Sequence, residues 1–398
     1  MCQCSMHKIK VYHFHNGTGG GVLSVIKNLL FYSDKKLFEN HIIHTVNKAI
    51  VPGYSIELVE GAASQQLFYY SPNSNFYYTC RQLAKLLPEE KAIIVAHDWV
   101  ELGMVSNLGL QNPVIQFVHG DYDYYYQLAA KHEAAIDVFV CVAASIQQKL
   151  LKQLPGRKND INYLRFPVAV SNCSNKISNG FNVVYAGRCT KEKGYHLLPL
   201  IAQMLRESGV NARWHIAGET DETLMNEYPW DAGIEIKFYG NIANKNLLAL
   251  LCAMDVMVLP SIAEGMPLSI IEAMKAGVVP VVNDLPGGIQ ELVLQNETGI
   301  KITGNDVAGF ATALKKLALD NVERQKLAAN AKERANELFD PDRNATAIEK
   351  LYLKSYENVS LKKKAVKVYG SRLDRPWLSN SIVKAFRLFS FYIKDRLK

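Results

Sequence analysis

LPSIAEGMPLSIIEAMKAGVVPVV, residues 259–282, reads as a strand end, a loop, a helix and a second strand. The apolar run DVMVLP (255–260) leads into it and VVPVV (278–282) closes it. Both are short and rich in β-branched residues, as buried parallel strands are. Pro267 has the fixed φ suited to a first helical position. Strand, helix, strand is a βαβ unit, which joins parallel neighbours by a right-handed crossover. Ligands of such units lie beyond the carboxyl ends of the strands. Here that means Gly265, Met266, Pro267, Leu268 and Ser269, where the first amides of the helix favour a phosphate. Seven residues separate Glu264, in the loop, from Glu272, about one and a half turns into the helix. Glu264 is placed to accept hydrogen bonds from sugar hydroxyls, Glu272 from a ribose. Spacing alone still favours the plainer reading of a loop carboxylate and a surface carboxylate on a helix.

The same alternation extends outward. FNVVYAG (181–187), ARWHIAG (212–218) and IEIKFYG (234–240) precede the decisive stretch, with helices in the gaps. Before the polar segment SNCSNKISNG (171–180) comes a second series: IKVYHF (9–14), AIIVAH (92–97), VIQFVH (114–119) and DVFVCV (137–142). Helical stretches at 22–32 and 75–87 lie between them. Two series predict an α/β chain of two Rossmann-like, doubly wound parallel-sheet domains, 1–170 and 181–340, with an interdomain cleft for ligands. A helical region over 306–357, an irregular one over 361–378 and a last helix from Asn380 complete the expectation.

The chain of 398 residues is long enough for two or three domains. At 48% hydrophobic and 21% charged it fits a soluble globular protein. No apolar run is long enough to span a bilayer. The opening MCQCSMHKIK has no apolar core of a secretory signal, so Cys2 and Cys4 are not read as a lipid anchor. Seven cysteines include no CxxC pair, and Cys141 and Cys252 lie in apolar runs; the expectation is buried thiols, no disulfide framework and no zinc site. A cytoplasmic location follows. Net charge is +7, but residues 361–398 hold eleven Lys/Arg against two Asp/Glu, which is +9 and leaves −2 on the first 360. A near-neutral body with a basic tail argues against a nucleic-acid-binding body and for an acidic partner of the tail.

PSIAEGMPLSIIEAMKAGVVPVVNDLPGG (260–288) resembles the family 4 retaining glycosyltransferases of the GT-B fold. They carry E-x7-E after a strand ending in PS, then EAMAxGxPVV and a Gly-containing turn. The likeness continues in YAGRCTKEKG (185–194), where the family has G-R-x4-K-G. It implies that Arg188 and Lys193 contact the donor diphosphate, two cations that would neutralise it without a metal. It implies that Gly19, Gly20 and Gly21, in NGTGGGV (16–22), sit against the sugar diphosphate, and that His119, at the end of VIQFVH, contacts the transferred sugar. Glycine lets a backbone approach a ligand closely. Pro267 and Met266 depart from the Gly and the aromatic residue common at those places. The helix over 341–360 is expected to cross back to the first domain.

The resemblance implies transfer from a nucleotide-diphosphate sugar, expected to be a UDP-sugar, to a glycan or lipid-linked acceptor, in polysaccharide or cell-envelope glycan synthesis. Retention is commonly explained by same-face attack, with the donor phosphate receiving the acceptor proton, so neither protein nucleophile nor metal nor other cofactor is expected. A nucleotide-sugar epimerase of similar two-domain fold, or a non-catalytic nucleotide-sugar-binding protein, remains open as an alternative. His97 and Asp98 end a strand and are candidates for the acceptor side. DYD (121–123) resembles a metal-binding D-x-D, but carboxylates at a helix start are the stronger reading; Asp340 and Asp342 are read the same way. His13 and His15 lack a third ligand nearby and read as packing or cleft lining. At 100° per residue, Ile382, Phe386, Phe389, Ile393 and Leu397 share one face of the last helix and Lys384, Arg387, Lys394 and Lys398 another. That pattern fits an anionic membrane surface as partner of residues 380–398; packing on the first domain is the alternative.

Overall fold

The computed structural model describes residues 7–17, 20–51, 54–170, 173, 180–358, 364–368 and 370–396. The chain forms two compact units, one of residues 1–141, 147–164 and 345–398, the other of 142–146 and 165–344.

The first unit is built on a seven-stranded sheet. Its strands are β1 (Ile9–His15), β2 (Phe38–Asn47), β3 (Ser64–Tyr70), β4 (Ile93–Ala96), β5 (Val114–Val118), β6 (Val138–Cys141) and β7 (Ile161–Tyr163). They lie in the order β3-β2-β1-β4-β5-β6-β7, every pair parallel. Ile42, Ile94, Val95, Ile115 and Phe117 have no solvent exposure. A sheet with helices on both faces requires strands that are apolar on both sides. The second unit has six parallel strands: β8 (Phe181–Ala186), β9 (Ala212–Ala217), β10 (Glu235–Gly240), β11 (Val256–Leu259), β12 (Val279–Asn283) and β13 (Ile300–Ile302). Their order is β10-β9-β8-β11-β12-β13. Strand order reverses between β1 and β4 in one sheet and between β8 and β11 in the other. Neighbouring loops diverge at such a switch point, and that opens a crevice beyond the strand ends.

Several local expectations change. Pro267 is the N-cap, with φ −72 and ψ 103, and the helix starts one residue later, at Leu268. The helical region after 306 is three helices, Val307–Leu319, Asn321–Leu338 and Pro341–Glu357. Asp320 separates the first two, its side chain capping the next helix through the Glu323 amide. Asp340 accepts the Arg343 amide and Asp342 lies in the first turn of the last of the three, as a helix start asks. The absence of a disulfide is corrected: Cys173 and Cys252 are bonded across 79 residues. Cys252 is the C-cap of the helix Asn244–Leu251 and half-buried, so it is not a core thiol. Cys141 is buried and free, as are Cys80 and Cys189. Cys2 and Cys4 lie outside the described residues. No helix among the described residues is long and apolar enough to cross a membrane.

Candidate active site

In the second unit, β8 and β11 release two loops at the switch point, 187–194 and 260–267. The loops are laced together. The Ile262 amide donates to the Glu192 carbonyl at 2.9 Å. Gly194 has φ +75, and a Cβ there would lie 2.1 Å from the Pro260 carbonyl oxygen, so only glycine allows the approach. The Tyr185 hydroxyl donates to the Arg188 carbonyl at 2.6 Å, fixing the turn that leaves the Arg188 side chain exposed.

This lacing brings Lys193 to Glu264. The ammonium donates to both carboxylate oxygens at 2.9 Å each, with the side chains only 18% and 8% exposed. Two residues chosen on separate motifs thus form one charge-assisted pair. Beside them begins the helix Leu268–Lys275. The Ile270 and Ile271 amides bond to the Pro267 carbonyl, whereas Leu268 and Ser269 contribute first-turn amides that a helix cannot satisfy itself. Gly265 packs so tightly against the next helix start that a Cβ on Gly288 would lie 2.0 Å from its carbonyl oxygen. Met266, Pro267 and Leu268 are buried and Ser269 half-buried.

Glu272 is not a surface carboxylate. It is buried, and Asn244 Nδ2 donates to it at 2.7 Å. Burial pushes its pKa up to about 7, against the opposing effect of the Asn244 bond. Asn244 opens the helix Asn244–Leu251 that follows β10 and belongs to no motif, so nothing in the sequence points to it.

In the first unit, β1, β4 and β5 end side by side. His119 Nε2 lies 2.7 Å from His97 Nδ1, and His97 Nε2 lies 3.4 Å from His13 Nδ1. Burial lowers all three, His13 to about 3, His119 to about 4 and His97 well below its ordinary value. They are therefore neutral at pH 7, and His119 is suited to a hydroxyl rather than to a charge pair. Asp98 caps the helix Trp99–Leu108 in a capping box with Glu101. It also accepts Asn16 Nδ2 at 2.6 Å and the Tyr124 hydroxyl. Gly20, with φ +138, precedes the helix Gly21–Phe31, and a Cβ on Gly20 or Gly21 would meet nothing within 4 Å. That helix start faces open space. Gly19 lies outside the described residues. His15 packs with His44 and Tyr54. Asp121 is held by Lys149 at 2.8 Å and by the Tyr126 hydroxyl, and Asp123 opens the helix Asp123–His132.

Residues 172–334 match the family model of glycosyl transferases group 1. That stretch contains Arg188, Lys193, Asn244, Glu264 and Glu272; Gly20, Gly21 and His119 precede it. Over 206 residues the chain is 32% identical to a glycogen synthase of Mycobacterium tuberculosis, covering 51% of this chain and 49% of that protein. Over 202 residues it is 26% identical to the capsular polysaccharide biosynthesis glycosyltransferase CapM of Staphylococcus aureus, covering 46% and 50%. The matched stretch spans about half the length of these relatives. In fold the chain is similar to Anabaena HepE, solved in complex with UDP and glucose, with a TM-score of 0.70 and 16% identity over 87% of this chain and 100% of that one. The fold is GT-B: two α/β domains with parallel sheets of seven and six strands.

Proposed function

We propose that the protein is a retaining glycosyltransferase that moves a sugar from a nucleotide-diphosphate sugar, a UDP-sugar, to a glycan or lipid-linked acceptor. The reading extends to polysaccharide or cell-envelope glycan synthesis at the cytoplasmic face of the membrane. The observation that carries it is the Lys193–Glu264 pair at the β8/β11 switch point, beside the start of the helix Leu268–Lys275 and with Arg188 exposed on the same loop.

The donor diphosphate would be met by Lys193, Arg188 and the Leu268 and Ser269 amides. These groups oppose charge that grows on the leaving group, which is where fixed donors stabilise a transition state most. Glu264, sharing Lys193 with the diphosphate, would accept a hydroxyl of the sugar; Glu272 would accept the ribose hydroxyls. In the transfer the bond from the anomeric carbon to the phosphate oxygen breaks and its electron pair stays on the diphosphate. The acceptor oxygen bonds to the anomeric carbon on the same face and passes its proton to the departing phosphate. No residue serves as nucleophile, and the cationic donors take the place of a metal.

The test is a panel of nucleotide sugars with glycan and lipid-linked acceptors, read by NMR. The expected product is a glycoside with the donor's anomeric configuration, formed equally in excess EDTA. An inverted product overturns retention, and metal-rescued loss in EDTA overturns metal independence. An epimerised nucleotide sugar without a glycoside indicates an epimerase; nucleotide-sugar binding without turnover indicates a binding protein.

A further inference from the structure

The terminal helix Asn380–Arg396 belongs to the first unit and touches it along a narrow seam. Asn380 Oδ1 accepts the Asn75 amide at 2.9 Å, and Val383 is 1% exposed. Arg387 donates to the Pro72 carbonyl at 3.1 Å, to the Ser74 carbonyl, to Ser371 Oγ at 2.7 Å and to Asp374 Oδ1 at 2.9 Å. At about 100° per residue these three positions fall within roughly 60° of the helix circumference. Arg387 is therefore spent on the body and does not share a free basic stripe with Lys384. The side chains of 394–398 are outside the described set.

The apolar residues are elsewhere. Ile382, Phe386, Leu388, Phe389 and Ile393 occupy an arc of roughly 160° on the opposite side. All are exposed, Phe389 by 62%. Phe391, 71% exposed, flanks Lys384, and Trp377, 72% exposed, precedes the helix. Packing on the first unit thus accounts for the seam and leaves the apolar arc uncovered. So much contiguous apolar surface marks an interaction site.

Charge decides what covers it. The segment 361–398 carries +9, so a second copy of this chain would bring like charge against like. An anionic surface would not. A cavity of about 350 Å³ lies beside the helix, lined by Lys48, Tyr69, Tyr70, Tyr78 and Lys384 among others, with no carboxylate among the described residues of its wall. Lys48 Nζ sits 5.1 Å over the Tyr69 ring. Two ammonium groups among hydroxyls suit a phosphate. Exposed Trp, Tyr and Phe beside Lys are the composition of a membrane–water interface.

We propose that the terminal helix lies flat in the interface of an anionic bilayer. The arc from Ile382 to Ile393 enters the acyl boundary, and Lys48 and Lys384 hold a lipid phosphate in the cavity. This deepens the lipid-linked reading of the acceptor and rests on it only for its biological purpose. Docking needs neither donor nor turnover, so each can fail without the other.

The experiment is flotation of the full chain with phosphatidylcholine vesicles, with and without phosphatidylglycerol, at low and high salt. Binding should require phosphatidylglycerol and weaken in salt. Phe386→Ser/Phe389→Ser should lower partitioning roughly tenfold or more, and Lys48→Glu/Lys384→Glu by at least as much, since each lysine contributes about fivefold. Both double variants alter exposed positions and should keep the melting temperature and UDP affinity of the parent. No flotation at low salt, or flotation indifferent to lipid charge, overturns the proposal. Full binding by the phenylalanine variant overturns insertion of the helix. A dimer in sedimentation velocity that the phenylalanine variant dissolves, without vesicle binding, makes a second copy the occupant instead.

Discussion

Lys193 and Glu264 neutralise each other at 2.9 Å in a mostly buried place, so removing either partner leaves a charge that water reaches poorly. Arg188 is exposed, so its loss costs the fold little. The two cations can therefore be told apart. Arg188→Ala and Lys193→Ala should each lower kcat/KM by roughly tenfold or more, about 1.4 kcal/mol of transition-state stabilisation. Only Lys193→Ala should also lower the melting temperature. Activity within about twofold of the parent in both would remove them from the site. The carboxylates divide differently. Glu264→Ala should impair turnover and leave nucleotide-diphosphate affinity intact, while Glu272→Ala should weaken that affinity. Burial raises the Glu272 pKa from 4.5 to about 7, and an ionised carboxylate is the stronger acceptor. Nucleotide affinity by calorimetry should rise with pH through about 7 and level off, a profile that Glu272→Gln should flatten. For stability the sign is opposite. The folded state holds this proton more tightly than the unfolded one, so the contribution is full below 4.5 and lost as pH climbs towards 7. A flat affinity profile in the parent would contradict the ribose role.

The helix Leu268–Lys275 shows what an element's sequence conveys and what it hides. The run SIIEAMK announced a helix between two strands, and it is one. Nothing in it announced that the terminal lysine is buried. Lys275 has no exposure, and its ammonium donates to the Val168 and Phe339 carbonyls at 2.7 Å each. Those partners lie 107 and 64 residues away, beyond any local periodicity. Lys275→Met keeps the apolar stem and leaves both carbonyls without this donor, so it should cost about 1–3 kcal/mol in urea unfolding. Burial lowers the Lys275 pKa from 10.5 to about 8. Between those values the unfolded chain holds a proton that the folded one has released, so stability from this group rises with pH from about 8 to 10.5. The parent should show that rise and Lys275→Met should not. An equal slope in both would mean that Lys275 keeps its ordinary pKa.

At the scale of the whole chain, the sequence shows β4, β5, β6, β8, β11 and β12 by nearly continuous apolar runs, and β9 and β10 by alternation of polar and apolar residues. β2 was missed because FENHIIHTVN is interrupted by polar residues. Asn40, His41, His44 and Thr45 are buried all the same, His41 bonded to Ser64 at 2.8 Å and His44 to the Tyr54 hydroxyl at 2.8 Å. β7 and β13 are three residues each, too short for a pattern. The candidate site was legible where a single loop carries its motif, as at 185–194 and 259–282. It was not legible where a separate helix contributes, as with Asn244, just as the disulfide between distant cysteines was not legible in the fold. The motifs with the strongest pattern all lie in the second unit, which makes that unit the expected seat of the nucleotide. UDP at about a hundred times its Kd should stabilise the unit that binds it by about 2.7 kcal/mol. Amide hydrogen exchange locates that gain. With UDP alone, protection should concentrate in the loop 187–194, the segment 260–275 and the helix start at Asn244. The amides of 117–122 in the first unit should exchange as before, because His119 is assigned to the transferred sugar, which UDP lacks. Protection centred on 16–22 instead would move the diphosphate to the helix start after Gly20 and leave Lys193 and Glu264 as a structural pair.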